Sequence, residues 1–271
     1  MLEEFRDLLA RHVATTALDG VRICRTDRPG APDSGMSGTA LAMVAQGGKR
    51  VALGERIHRY EAGQHLVASV DVPVIGQAVA GGPTLGFGMT LEPAIVAELL
   101  PQAPRAVEHS GIVVSDAPKE LLDAVVRLLR LLDRPRDRKT LAPLVKREIH
   151  WRLLTGEHGA AVRRLSAPSP ITRAVRWIRE NYARPFRVAD MAGIAGMSVP
   201  TFHRNFHAVT AMSPIQFQKQ IRLQSARLLL AGPADDVTTV GFRVGYDSPS
   251  QFSREYQRLF GAPPSRDRAS R

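Results

Sequence analysis

Residues 198–206 read SVPTFHRNF, and residues 248–256 read SPSQFSREY. Ser, Phe, Arg and an aromatic residue hold the same four slots in both stretches, fifty positions apart. Each has the marks of a short helix: a serine placed to cap its start, then two aromatics four apart on one face. What precedes them repeats as well. VADMAGIA, residues 188–195, has a helical pattern with the small Ala192 in its middle, and Gly196 breaks it before Ser198. VTTVGFRV, residues 237–244, is followed by Gly245 and then by Ser248. A helix, a glycine turn and a second helix crossing the first make a helix-turn-helix, and the chain spells it twice. Phe202, Phe206, Phe252, Tyr256 and Leu259 are expected to turn inward. The match runs on from AMSP at 211–214 to GAPP at 261–264, while Gly196 and Gly245 stand forty-nine apart, so the second turn is one residue longer.

Between the copies lies SPIQFQKQIRLQSARLLLAG, residues 213–232. Pro214 suits a first turn, Phe217, Ile221, Leu228 and Leu229 supply an apolar face, and Gly232 with Pro233 end the pattern. A helix of about 17 residues spans roughly 25 Å. With the width of the flanking motifs added, that is compatible with two recognition helices in adjacent major grooves, about 34 Å apart. One chain would then do what a dimer of single motifs does.

Charge placement agrees. The chain of 271 residues carries a net charge of +11; from Ala167 onward 15 Lys and Arg face 7 Asp and Glu, whereas the rest holds 22 against 19. An excess concentrated at that end suits a polyanion. Apolar content of 44% with 23% charged residues is that of a globular chain, and no run approaches the roughly 18 apolar residues of a membrane span. The start, MLEEFRDLLARHV, lacks a basic region and a continuous apolar core, so it reads as a short amphipathic helix and not as a secretory signal. Cys24 is the single cysteine, which leaves no disulfide framework or multi-cysteine zinc site and fits a reducing compartment. A cytoplasmic location is expected.

The first half reads differently. From about 38 to 91, short apolar stretches alternate with Gly, Asp and Pro turn signals, the pattern of successive antiparallel strands in a small barrel or sandwich. Val51, Leu53, Ile57, Leu66 and Ala68 are its expected interior positions. From about 118 to 164 the rhythm becomes helical. Leu121, Leu122, Val125, Leu128, Leu129 and Leu132 recur at three and four until Pro135, and Leu141, Leu144, Val145, Ile149 and Leu153 follow before Gly156. Their apolar faces need cover, from the strands or from a second copy of the chain. LSAPSPIT, residues 165–172, marks a join, giving domains 1–166 and 167–271. The expected class is α+β: a barrel with flanking helices, then an all-α domain of two helix-turn-helix motifs joined by a long helix.

MSVPTFHRNFHAVTAMSPIQFQKQIRLQSARLLL and VGYDSPSQFSREYQRLFGAPP resemble the two-motif domain of the AraC/XylS-type transcription regulators over about 100 residues. VAQGGKRVALGERIHRYEAGQHLVASVDVPVIGQAV is similar to the cupin-like sensory domain of one branch of that family. The resemblance implies that the second domain binds double-stranded promoter DNA and contacts RNA polymerase, and that the first binds a small effector or forms a homodimer. Carried over by position, Pro200, Thr201, His203 and Arg204 face one groove, and Ser250, Gln251 and Arg254 the next. Arg pairs with guanine, Gln with adenine, and the short side chains suit shape or phosphate contact. A phosphate clamp or a surface ion pair stays the alternative for Arg204 and Arg254. Two departures bear on rigidity. Gly241 stands where the family has a helix alanine, at a cost of about 1 kcal/mol in propensity. The end, SRDRASR, lacks the usual tyrosine and arginine. Both point to a softer second motif.

RYEAGQHLVAS resembles a cupin turn and strand, and His58 with His65 invites a metal reading. Cupin enzymes place two histidines one residue apart among three or four ligands, and no His-x-His occurs here. No metal, cofactor or catalytic residue is therefore expected, and the ligand-binding residues stay unassigned. Two other readings remain: a cupin-type enzyme with a DNA-binding appendage, and an architectural DNA binder with no effector.

Overall fold

The computed structural model describes the chain except for residues 14, 16, 28–32, 80–81, 104–111, 167–168, 233–235 and 270–271. The described chain divides into two compact units, Met1–Ser169 and Pro170–Arg271. Residue 167, where the sequence sets the join, and Pro233, expected to end the long helix, lie outside the described residues.

The first unit opens with α1 (Leu2–Arg11) and builds two antiparallel sheets. One has five strands in the order β1 (Val21–Thr26), β8 (Thr84–Thr90), β3 (Ala40–Gln46), β6 (Gln64–Ala68) and β9 (Ile112–Asp116). The other runs β2 (Asp33–Met36), β7 (Pro73–Ala78), β4 (Gly48–Leu53) and β5 (Arg56–Glu61). The expected barrel is thus two layers, with no closed ring of paired strands among the described residues: β1 and β9 end one sheet, β2 and β5 the other. Strands β1, β2 and β9 lie outside the range the alternation marks.

Register corrects one interior assignment. The turn at Gly54 and Glu55 pairs Ala52 with Ile57 and Lys49 with Tyr60. Side chains alternate along a strand, so Lys49, Val51, Leu53, His58 and Tyr60 share the inward side and Ile57 faces out, 61% exposed. Leu53, Leu66 and Ala68 are buried as expected, and Val51 is partly so.

Helices α2 (Pro93–Leu99), α3 (Lys119–Arg130), α4 (Pro135–Thr155) and α5 (Gly159–Arg163) follow. One core joins Phe5 and Leu9 of α1, Leu41, Met43, Phe87 and Met89 of the five-stranded sheet, Val125 and Leu129 of α3, and Ile149 and Leu153 of α4. The helices therefore cover one face of that sheet. Pro135 does not stop the preceding helix, which ends at Arg130 and passes through a 3-10 turn; it opens α4, where a missing N–H costs nothing. Leu141 and Leu144, expected to face inward, are 41% and 60% exposed.

The second unit is all helical: α6 (Pro170–Glu180), α7 (Val188–Ala195), α8 (Val199–Thr210), α9 (Pro214–Leu230), α10 (Val237–Arg243), α11 (Pro249–Phe260) and α12 (Pro264–Ala269). A capping box between Ser213 and Gln216 starts α9. Its buried positions migrate along its length. Phe217 meets Phe206 of α8 edge-on, and Leu223, Ala226 and Leu230 join the core with Val240, Phe252 and Tyr256. Leu228 continues the first row past the end of the first motif, and so stands 75% exposed instead of packed.

Candidate nucleic-acid interface

The first motif is α7, a turn and α8. Gly196 adopts the left-handed conformation (φ 64°, ψ 36°) that ends α7, and Met197 N–H closes the turn on Ala192 O at 2.9 Å. Ala192 is buried, Phe202 and Phe206 are fully buried, and their rings stand 5.3 Å apart. The opposite face of α8 presents Pro200, His203 and Arg204 to solvent, with Thr201 partly covered. Ser198 occupies the cap position without capping: its hydroxyl donates to Thr201 Oγ1 (2.9 Å), which also accepts from Arg204 at 3.3 Å.

The second motif, α10 and α11, is tied differently. Asp236 caps α10 through the N–H groups of Thr238 and Thr239, at 2.7 and 3.0 Å. Ser248 caps α11 through the Gln251 N–H at 3.4 Å and shares a hydroxyl contact of 2.9 Å with Ser250. Ser250, Gln251 and Arg254 are exposed. Glu255, one turn on, accepts from the Tyr246 hydroxyl (2.8 Å), from Gln251 (3.4 Å) and from Lys219 of α9 (2.9 Å). Burial works to raise the Glu255 carboxyl, but the hydrogen bonds from Lys219 and Tyr246 outweigh it and hold the group below the usual carboxylate range. Burial first, then Glu255, pushes the Tyr246 phenol up.

Two glycines explain the tighter fit. A Cβ at Gly241 would lie 3.0 Å from Phe252 Cδ1, so the residue is bare because α11 packs straight onto α10 there. A Cβ at Gly245 would lie 2.2 Å from Ala183 O, and its φ is +96°. Arg222 of α9 donates to the carbonyls of Tyr182 (2.7 Å) and Ala183 (3.2 Å) and lies 5.9 Å from the Tyr246 ring centre. At the far end Asp267 of α12 accepts from Arg227 (2.9 Å) and from the Tyr256 hydroxyl (2.7 Å). The departures read as softening are packing and tethering features.

The first unit holds a second candidate site, a cavity of about 500 Å³ between the inner faces of the two sheets. Gly35, Ala40, Ala42, Ala68, Gly76 and Ala78 are among its lining residues, so each wall carries several of the smallest side chains. Lys49 reaches across from β4 and donates to the Cys24 sulfur of β1 at 3.0 Å. Elsewhere His65 is buried with its ring centre 5.0 Å from that of His158, and burial, with His158 adding to it, pushes its imidazole down to about 4. Among the described residues no group of three or more His, Cys, Asp and Glu is placed to hold a metal ion, and no helix is long and apolar enough to cross a membrane.

A family model described as AraC-type transcriptional regulator N-terminus matches residues 17–161, and one for a helix-turn-helix domain matches residues 191–270. The chain belongs to the AraC-type transcriptional regulators. Among curated members it is 32% identical over 162 residues to a probable thc operon regulatory protein of Rhodococcus erythropolis, covering 55% of this chain and 48% of that one. It is 27% identical over 155 residues to the virulence regulon transcriptional activator VirF of Yersinia enterocolitica, covering 56% and 57%. The matches thus span about half the length of these relatives. Among solved structures, ToxT of Vibrio cholerae shares the fold at 9% identity, with a TM-score of 0.59 over 92% of this chain and 97% of ToxT. Another structure of wild-type ToxT, TM-score 0.55, holds an unsaturated fatty acid.

Six of the seven positions marked from the AraC-type pattern are exposed in this unit, Thr201 being the partial exception. Sequence reasoning missed Glu255, Arg222 and Asp267, each of which has a partner 36 to 40 residues away. It also missed the cavity, whose only signal was Gly86 and Gly88 alternating with Leu85, Phe87 and Met89 in β8.

Proposed function

We propose that the chain is a sequence-specific DNA-binding regulator of transcription. The observation that carries this reading is the pair of helix-turn-helix motifs on a shared α9, each turning polar side chains outward from an aromatic core. Pro200, Thr201, His203 and Arg204 form the first reading face, and Ser250, Gln251 and Arg254 the second. Arg204 is the leading base reader, since it donates to the neutral Thr201 hydroxyl and pairs with no carboxylate among the described residues. Gln251 gives up its contact to Glu255 to read a base, so the second motif contributes less discrimination.

The first unit is the effector and dimerisation domain in this reading. Support for a small-molecule effector comes from its cavity and from the fatty acid held by the structurally similar ToxT. Leu141 and Leu144 of α4 are the surface on which a homodimer would close. RNA polymerase is the further partner, the cytoplasm is the location, and no catalysis is required of any residue.

The test is binding of the full chain to duplexes selected from a random pool, against unselected duplex, at fixed salt. A regulator separates the two by about 10³-fold or more. An architectural binder shows equal affinity for both, with the steep salt dependence of phosphate contact.

A further inference from the structure

We infer that the cavity between the two sheets is a binding site for an organic anion with an apolar body, its charged group held by Lys49 and Arg22. The inference rests on the effector reading above and names the chemistry of that effector.

The hollow is written into strand alternation. On β8 the large Leu85, Phe87 and Met89 point to the helix-covered core, while Gly86 and Gly88 alternate with them toward the other side. On β3, Leu41 and Met43 fill the core, and Ala40 and Ala42 line the cavity. The two neighbouring strands β8 and β3 of the five-stranded sheet thus keep full-sized residues on the core side and the smallest ones on the cavity side. An interior packed for stability alone would fill this space, since an apolar void forfeits dispersion contacts on every wall. A volume of about 500 Å³ is within the range of small-molecule sites.

The lining chemistry selects the occupant. Arg22 and Lys49 line the cavity, and among the described residues no Asp or Glu does. Neither is ion-paired among the described residues. Lys49 is oriented by the Cys24 sulfur, while the neighbouring Arg50 bonds Gln77 at 2.8 Å on the other face of the sheet. A Cβ at Gly86 would come within 2.9 Å of Lys49 Nζ, so the ammonium lies directly over the bare glycine of the opposite sheet. The rest of the wall includes Met36, Val51, Leu66, Val74 and Ile112. Two cations beside a low-dielectric wall, unpaired among the described residues, attract an anion more strongly than they would in open water. The apolar wall asks that the anion carry a hydrophobic body. Carboxylate and phosphate head groups both satisfy the cations.

Cys24 supplies the readout, because it lines this cavity and is the chain's only cysteine. The alkylation rate of Cys24 in the full chain is measured with sodium decanoate, decyl phosphate, decan-1-ol or acetate, each below its micelle threshold. Decanoate or decyl phosphate is expected to slow alkylation about tenfold at saturation, and the tighter of the two names the head group. Decan-1-ol and acetate are expected to leave the rate within about twofold. Lys49→Met and, separately, Arg22→Gln should weaken the protecting anion about tenfold, with thermal unfolding recorded to show that each variant folds. Equal protection by decan-1-ol, or no protection by either anion, overturns the inference. The duplex-selection assay is run on the same preparation. Sequence preference without anion protection removes the ligand and leaves the regulator; anion protection without sequence preference does the reverse.

Discussion

The two helix-turn-helix motifs repeat each other in sequence and differ in how they are fastened. The first closes on an unobstructed turn: a side chain at Gly196 would meet nothing within 4 Å, and Ser198, Thr201 and Arg204 bond chiefly to one another. The second is bolted to its surroundings at Gly241 by Phe252, at Gly245 by Ala183, at Glu255 by Lys219 and at Asp267 by Arg227. Repetition preserved the aromatic packing and left the polar fastenings free to diverge. A reading face not tied to carboxylates can rearrange on a partner at little cost, whereas a clamped one binds only what already fits.

The contrast can be broken most sharply at the two turns. Gly245→Ala is expected to destabilise the second unit by about 3 kcal/mol or more, since a positive φ and a backbone collision coincide there. Gly196→Ala meets only the left-handed backbone penalty, about 1 kcal/mol. Urea unfolding of the full chain, followed by hydrogen exchange in each motif, measures both. Equal losses would dissolve the distinction. On DNA, Arg204→Ala is expected to cost about 1–3 kcal/mol at one base position and relax preference there, while Gln251→Ala costs less. A uniform loss over all sequences would make Arg204 a phosphate contact.

Gly241→Ala tests the packing explanation by its sign. Helix propensity alone predicts a gain of about 1 kcal/mol. Overpacking against the fully buried Phe252 opposes it at about 1–3 kcal/mol, and a net loss of about 1 kcal/mol is expected by urea unfolding. The smallest effect separates the two units by pH. Burial holds the imidazoles of His58, His65 and His150 below the usual value of 6.5, so the unfolded chain takes up protons first as pH falls. Their contribution is complete above the unfolded value and is lost through the window from 6.5 down to about 4. His65 alone should cost the first unit about 1 kcal/mol between about pH 7 and pH 5.5. In the second unit the depressed carboxyl is Glu255, whose contribution is present above the usual 4.5 and fades only below it. Hydrogen exchange at a series of pH values should therefore show the first unit loosening before the second.

The parts legible in sequence were those governed by local periodicity. Phe202 with Phe206 and Phe252 with Tyr256 announce a buried face because four residues make about one turn, and each pair is fully buried. Ile57 was placed on the wrong side because the turn at Gly54 and Glu55, not the run of apolar letters, sets the register. Strand β1 escaped notice because VRICRT sends Arg22, Cys24 and Thr26 toward the cavity, where polarity serves the lining and not the core. Gly241 was read through propensity, a property of an isolated helix, when what decides it is a ring from another helix. Leu228 followed a valid stripe that simply outran its partner.

Helix α9 has a consequence for how such a chain can change over generations. Both motifs pack their aromatic cores against its 17 residues, Phe217 meeting one and Leu223, Ala226 and Leu230 the other. One residue inserted between these groups would rotate one motif about 100° against the other and advance it about 1.5 Å. The angular phase between the motifs is therefore quantised: insertions that keep both packed come in steps of about a whole turn, three or four residues at once. Single-letter drift can retune what each motif touches, but only a jump can alter how far apart on a duplex they touch it.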